Sequence, residues 1–242
     1  MRAENKNKIK KTVDICMAVV LLVLFAYQVT GEPAHEWAGV TQTVLVIIHQ
    51  ILNRKWYTAL FKGKYNAYRI VLTIVNVCLI ISLLLTAFCG MSMSGYAVPF
   101  FYGMAPVSTV REIHLAMSHW TFVLMGLHLG LHIPSIATGI KIPDKTKRVI
   151  SVAAFLLSVY GLYLFIQTGM PDYLFFQVAF AFLDYDKALA TVFFENLMML
   201  LSFVFIGTLC AVLCRGRLGR TGKKQNDPES TLSEKTEGEI SS

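Results

Sequence analysis

Imidazole is the commonest side-chain ligand for transition metals and for haem iron, and this chain uses one imidazole spacing twice. His35 and His49 are 14 residues apart, and so are His114 and His128. On a helix, 14 steps of 100° bring the second side chain to within about 40° of the first and about 21 Å further along the axis. The hydrocarbon core of a bilayer is about 30 Å thick, so a membrane helix with this spacing carries one imidazole near each face. Two such helices packed antiparallel oppose His35 to His114 and His49 to His128. That is the ligand set for two stacked b-type haems, each iron held by two axial imidazoles. A lone intramembrane histidine is more often a satisfied polar residue of a bundle interior. The repeated spacing favours ligands, because two helices would have to share face and depth by accident.

The other two histidines fit less well. His119 lies five residues after His114, about 140° around the helix, and faces elsewhere. A His119/His132 pair, 13 apart, is about 140° out of register too. His132 shares a face with His114 but lies about 27 Å from it, overshooting the His35–His49 interval by about 6 Å. One turn inward of His128, it has two open roles: partner to a haem propionate, or interface residue. Gly39, Ser118 and Thr121 lie on the ligand faces and leave room for flat macrocycles. Ordinary small-residue packing explains them as well, and explains Gly126-xxx-Gly130. Propionates call for cations. Arg111 suits an outer haem, and Arg54 with Lys55 an inner one, although membrane orientation alone accounts for the last two. Glu195 is either a proton carrier at a quinone site or an interface carboxylate in water.

These residues need long apolar helices to position them, and the composition supplies them. The chain has 242 residues, 55% hydrophobic and 15% charged. Six apolar runs, 14–30, 34–52, 70–91, 113–133, 149–168 and 190–213, each approach the length that crosses a bilayer as a helix. Helices satisfy their own backbone in lipid. The expected fold is therefore all-α: a polytopic membrane bundle of about six transmembrane helices around a four-helix haem-binding core. Residues 1–214 form the membrane domain, and 215–242 a polar, disordered cytoplasmic tail. Pro134 is expected to end the fourth span. The segment from Asp172 to Lys187 is expected to lie along the outer interface as an amphipathic helix.

The net charge of +7 suggests nucleic acid until its distribution is seen. Twenty of the 22 Lys and Arg residues fall in the N-terminus, the 53–69 and 134–148 connections and the tail, leaving Arg111 and Lys187 on the other side. The basic excess is an orientation signal that puts both termini in the cytoplasm. It leaves nucleic acid unneeded as a partner, and is compatible with anionic lipid. The basic start and the run from Ile15 to Ala26 mimic a signal peptide, but no small-residue cleavage site follows, so the run is expected to stay as the first helix. Cys16, Cys78, Cys89, Cys210 and Cys214 fall in or at the ends of spans and are expected as buried free thiols. Cys-x-x-Cys-His is absent from the sequence, so covalent haem attachment is not indicated.

At His35-Glu-Trp-x-Gly39, His49-x-x-x-Asn53-x-x-Trp56, Arg111-Glu-Ile-His114 and His128-Leu-Gly-Leu-His132 the chain resembles a bacterial family of uncharacterised membrane cytochromes. These have four core helices plus additions and are often linked to extracytosolic flavinylated electron-transfer systems. The family is related to the b-type cytochrome subunits of formate dehydrogenases and nickel–iron hydrogenases. The resemblance covers about residues 10–210. It implies His35, His49, His114 and His128 as haem ligands, and electron transfer as the activity.

The expectation is thus a di-haem b cytochrome of the bacterial cytoplasmic membrane. It is an electron-transfer subunit rather than a stand-alone enzyme, moving electrons between a quinone or inner-side donor and an outer-side, extracytosolic redox protein. Two other classes compete: a transporter or channel using its histidines for a metal ion or protons, and a passive anchor for a redox complex. Haem content separates the first from both.

Overall fold

A computed structural model of the chain describes residues 3–138 and 142–225, with side chains over 5–138 and 142–215. Every regular element among the described residues is helical. In order these are α1 (Ala3–Phe25), α2 (Tyr27–Leu52), α3 (Lys55–Leu60), α4 (Ala67–Met93), α5 (Val107–Ala137), α6 (Asp144–Gln167), α7 (Met170–Leu174) and α8 (Leu189–Gln225). A single 3-10 turn at Pro99–Phe101 lies in the loop between α4 and α5.

Of the six expected spans, four are long and apolar enough to cross a membrane: α4, α5, α6, and α8 over Leu189–Arg215. The two remaining spans do form as helices, α1 and α2, but they fall short in apolarity. α1 carries Lys10, Lys11 and Asp14, and α2 carries His35, Glu36, Gln42 and His49. The residues that dilute their apolar runs include the candidate ligands themselves.

The α4, α5, α6 and α8 helices form one packed body. α5 runs against α4 on one side and α8 on the other, and α6 packs on α8. The α5–α8 seam is so close that a Cβ at Gly130 would collide with the carbonyl oxygen of Val204. Small residues that let helix backbones approach are the usual glue of membrane bundles, and that is the role of Gly130. Phe122 of α5 is fully buried, its ring 4.5 Å from that of Phe25 of α1, in the same apolar core as Met199, Leu200 and Phe203 of α8. α2 is placed differently. It lies mainly on α1 and touches α4 only locally. It is broken near its start by Gly31, whose φ of +78° is costly for any residue with a Cβ.

Four sequence expectations need correction. α5 does not stop at Pro134 but runs to Ala137. A helical proline leaves the carbonyl four residues back without its N–H, and here that carbonyl, Gly130 O, accepts the Thr208 hydroxyl at 3.2 Å. α8 continues to Gln225, past the expected boundary at 214; the rest of the expected tail, 226–242, lies outside the described residues. The 172–187 segment is not an amphipathic helix. After α7 it is irregular, and it is pinned by side chains: Tyr173 OH accepts the Phe182 N–H at 2.8 Å, and Gln28 Oε1 accepts the Asp184 N–H at 3.2 Å. The cysteines are free, but only Cys89 is buried; Cys16 and Cys78 lie on the exposed helix surface.

Candidate functional site

The antiparallel arrangement of α2 and α5 opposes the histidines two by two. The His35 and His114 rings face each other with centroids 6.1 Å apart, and the His49 and His128 rings with centroids 6.5 Å apart. In both pairs the ring planes cross at 75°.

Each ring is oriented through its Nδ1. Leu24 sits in the last turn of α1, where carbonyls lack helical partners, and its oxygen lies 3.1 Å from His35 Nδ1. His114 Nδ1 donates to the Thr86 carbonyl of α4 at 2.9 Å. Gly90 of α4 makes this approach possible, because a Cβ there would stand 3.1 Å from His114 Cε1. His49 Nδ1 bonds Asp14 Oδ1 of α1 at 2.7 Å, and His128 Nδ1 bonds Asn76 Oδ1 of α4 at 2.8 Å. All four partners are acceptors, so all four Nδ1 atoms carry the proton and each Nε2 keeps its lone pair. Metal-binding imidazoles are held in this way, their second nitrogen donating to a carbonyl or carboxylate. Asn53 adds a weak contact, its amide nitrogen 3.4 Å from both ring nitrogens of His49 while it donates to the His49 carbonyl at 3.0 Å.

The spacing suits a metal. An ion bound by the Nε2 atoms of two opposed imidazoles sets the ring centroids roughly 6.3 Å apart, from two bonds of about 2.0 Å and two ring radii of about 1.15 Å. There is space beside the rings as well. α2 and α5 are not among the closely packed helix pairs of the described residues, and a Cβ added at Gly39, one turn from His35, would meet nothing within 4 Å. Gln42, seven residues from both His35 and His49 and so on their stripe, is 5% exposed, with neither side-chain amide atom hydrogen-bonded. A buried polar group without a partner is costly, so an unmet hydrogen-bonding group lies on the stripe between the two pairs. The residues therefore offer two pairs of imidazoles, each at a separation that would suit a group ligated from both sides.

The remaining sequence candidates divide. His119 faces away from both pairs: its Nδ1 donates to the Leu115 carbonyl at 2.7 Å and its ring stacks on Tyr173 at 4.4 Å. His132 lies with its ring 4.8 Å from that of His128, with no hydrogen bond among the described residues. Arg111 lies over the Phe180 ring at 5.3 Å. Arg54 and Lys55 are exposed. Arg215 of α8 stands over Tyr68 and donates to Ser135 Oγ at 2.7 Å. Thr121 bonds Ser82 Oγ at 3.1 Å in the buried layer between the pairs, and Ser118 bonds the Leu115 carbonyl. Glu195 is ion-paired with Lys187 at 2.8 Å.

Three contributors escaped the sequence reading. Asp14 and Asn76 each offered a signal, a lone polar side chain inside an apolar run. Glu36 is the third. Its carboxylate accepts the Ser94 hydroxyl and the backbone N–H groups of Gly95, Tyr96 and Ala97 at 2.7–2.9 Å, binding the loop after α4 to the residue beside His35. Its neighbour in sequence was the only hint. Comparison with protein-family models, curated proteins and solved structures finds no match for the chain.

Proposed function

We propose that the chain is a di-haem b-type cytochrome of the bacterial cytoplasmic membrane. In this reading α1 and α2 also cross the bilayer, making six spans with both termini cytoplasmic. α1, α2, α4 and α5 form the haem-binding core, with α6 and α8 added outside it. The observation that carries the reading is the pairing itself: two sets of facing imidazoles at metal-bridging separation, each with its Nδ1 held by an acceptor from a neighbouring helix. A haem bound in each pair would supply a one-electron iron couple. The chain holds the half-buried rings in their tautomer and spaces the two sites along one pair of helices. Electrons would pass between a quinone or inner-side donor and an extracytosolic redox protein, the flavinylated kind being the partner the family resemblance implies. This reading assigns the propionates to Arg111 at the outer end and Arg215 at the inner end. Among the described residues no three His, Cys, Asp or Glu side chains are arranged to hold a metal ion between them, so the arrangement favours sites of two imidazoles over a closed cage for a bare ion.

The test is haem content. The purified protein should bind two b haems per chain, visible in the reduced-minus-oxidised spectrum. A chain purified without haem, and unable to take it up, removes the proposal. A trans-membrane conduit should also consume an oxidant trapped inside proteoliposomes when reductant is added outside. Two bound haems with the trapped oxidant untouched would leave only one-sided chemistry.

A further inference from the structure

The acceptors on the two pairs are not equivalent. The outer rings, His35 and His114, bond backbone carbonyls at 3.1 and 2.9 Å. The inner rings bond side chains, His128 the Asn76 amide oxygen at 2.8 Å and His49 the Asp14 carboxylate at 2.7 Å. Asp14 is the sole carboxylate on any of the four described rings. We infer that Asp14 is a potential-setting residue, which holds the inner couple below the outer one so that electrons run from the inner to the outer face. The inference rests on the di-haem reading.

A charge-assisted hydrogen bond is shorter and stronger than one to a neutral carbonyl. A carboxylate on Nδ1 draws the ring proton toward itself and makes Nε2 a stronger donor. A stronger donor, and a negative charge nearby, both stabilise ferric over ferrous iron and lower the potential; hydrogen bonding to the ligand is one of the levers a protein has on haem. The opposing charges are farther along the chain of contacts. Lys10 bonds Asn53 Oδ1 at 2.8 Å, and Arg215 bonds Ser135 Oγ and stands over Tyr68; neither bonds the ring of His49. Asp14 is partly open to solvent, its side chain 44% exposed, so water screens part of its charge; the hydrogen bond acts through the ring and is not lost to that screening. With a quinol or other inner-side reductant as donor and an outer-side flavin as acceptor, each electron transferred would leave a ferrous inner iron ferric and turn a ferric outer iron ferrous, the donor then re-reducing the inner iron and the flavin re-oxidising the outer one.

The experiment is a potentiometric titration of the full chain, followed in the haem absorption bands, after the haem count has been measured. The unaltered protein should show two midpoints. Asp14→Asn should raise the lower one, so that the reduced-to-oxidised ratio at a fixed ambient potential rises about tenfold, about 59 mV for one electron, while the upper midpoint stays. Asp14→Glu should restore most of the difference. In His35→Ala, which leaves only the inner site, the surviving midpoint should be the lower of the two. If Asp14→Asn fails to keep its inner haem, Asn76→Asp serves instead and should push the lower midpoint further down. Two haems with unmoved midpoints, or movement of the upper one alone, overturn the inference and leave the cytochrome reading standing. A chain that binds no haem overturns that reading first.

Discussion

The two histidine pairs share one geometry and differ in what enforces it. Both face across the gap between α2 and α5, at 6.1 and 6.5 Å, with planes crossed at the same 75°. The pair read as outer, His35 and His114, is fixed by main chain, the carbonyls of Leu24 and Thr86. The pair read as inner, His49 and His128, is fixed by side chains, Asp14 and Asn76. A main-chain acceptor cannot be deleted by substitution, whereas a side-chain acceptor can be exchanged residue by residue. The acceptors of the His35/His114 pair therefore survive substitution at their own positions, whereas those of the His49/His128 pair are adjustable.

The strongest way to break the comparison is to remove rings. His35→Ala or His114→Ala should abolish the outer haem alone, and His49→Ala or His128→Ala the inner alone, each read as a fall from two to one haem per chain. If His128→Ala keeps two and His132→Ala loses one, the inner pair has been wrongly drawn. Next in size is the removal of a support. Asn76→Leu deprives His128 of its acceptor and should weaken retention of the inner haem about 10- to 100-fold, the usual effect of losing such a partner; an equal loss at both sites would mean general destabilisation. A smaller, outer-end effect is expected of Glu36→Gln. The amide keeps one acceptor oxygen of two, and with four donors to satisfy the loss should be about 1–3 kcal/mol, seen as faster proteolysis in the 94–104 loop with the inner haem unaffected. The smallest is His119→Ala, which should leave both haems and their spectra unchanged; loss of either would show that the ring stacked on Tyr173 belongs to a site after all.

Much of this was legible in the sequence, and the boundary is physical. Helical periodicity is a local property, so the 14-residue spacing was enough to read which histidines face which and to set His119 aside. Apolar length is also local, and it located the four helices that are apolar enough to span. What the sequence did not disclose depends on a partner helix. Pro134 reads as a stop until Thr208 is found bonding the stranded carbonyl of Gly130. The aromatic and acidic residues of 172–187 suggest an amphipathic helix until Gln28 and Tyr173 are seen holding them in an irregular path. Asp14 reads as a flaw in an apolar helix until His49 stands beside it. Arg54, singled out for its position, is exposed, while Arg215, which had been counted only as an orientation charge, turns inward over Tyr68.

The carboxylate of Glu36 has a mechanical consequence. At its outer end α2 is strapped by Glu36 to the loop that joins α4 to α5. At its inner end it is fastened to α1 instead, through His49 with Asp14 and Asn53 with Lys10. A rod clamped at one end to a fixed frame and at the other to a neighbouring rod can only swing about the clamp. A displacement of the first turns of α1 would then reach the His49/His128 pair through Asp14, whereas the His35/His114 pair, which meets α1 at the Leu24 carbonyl, is steadied by the strapped loop as well.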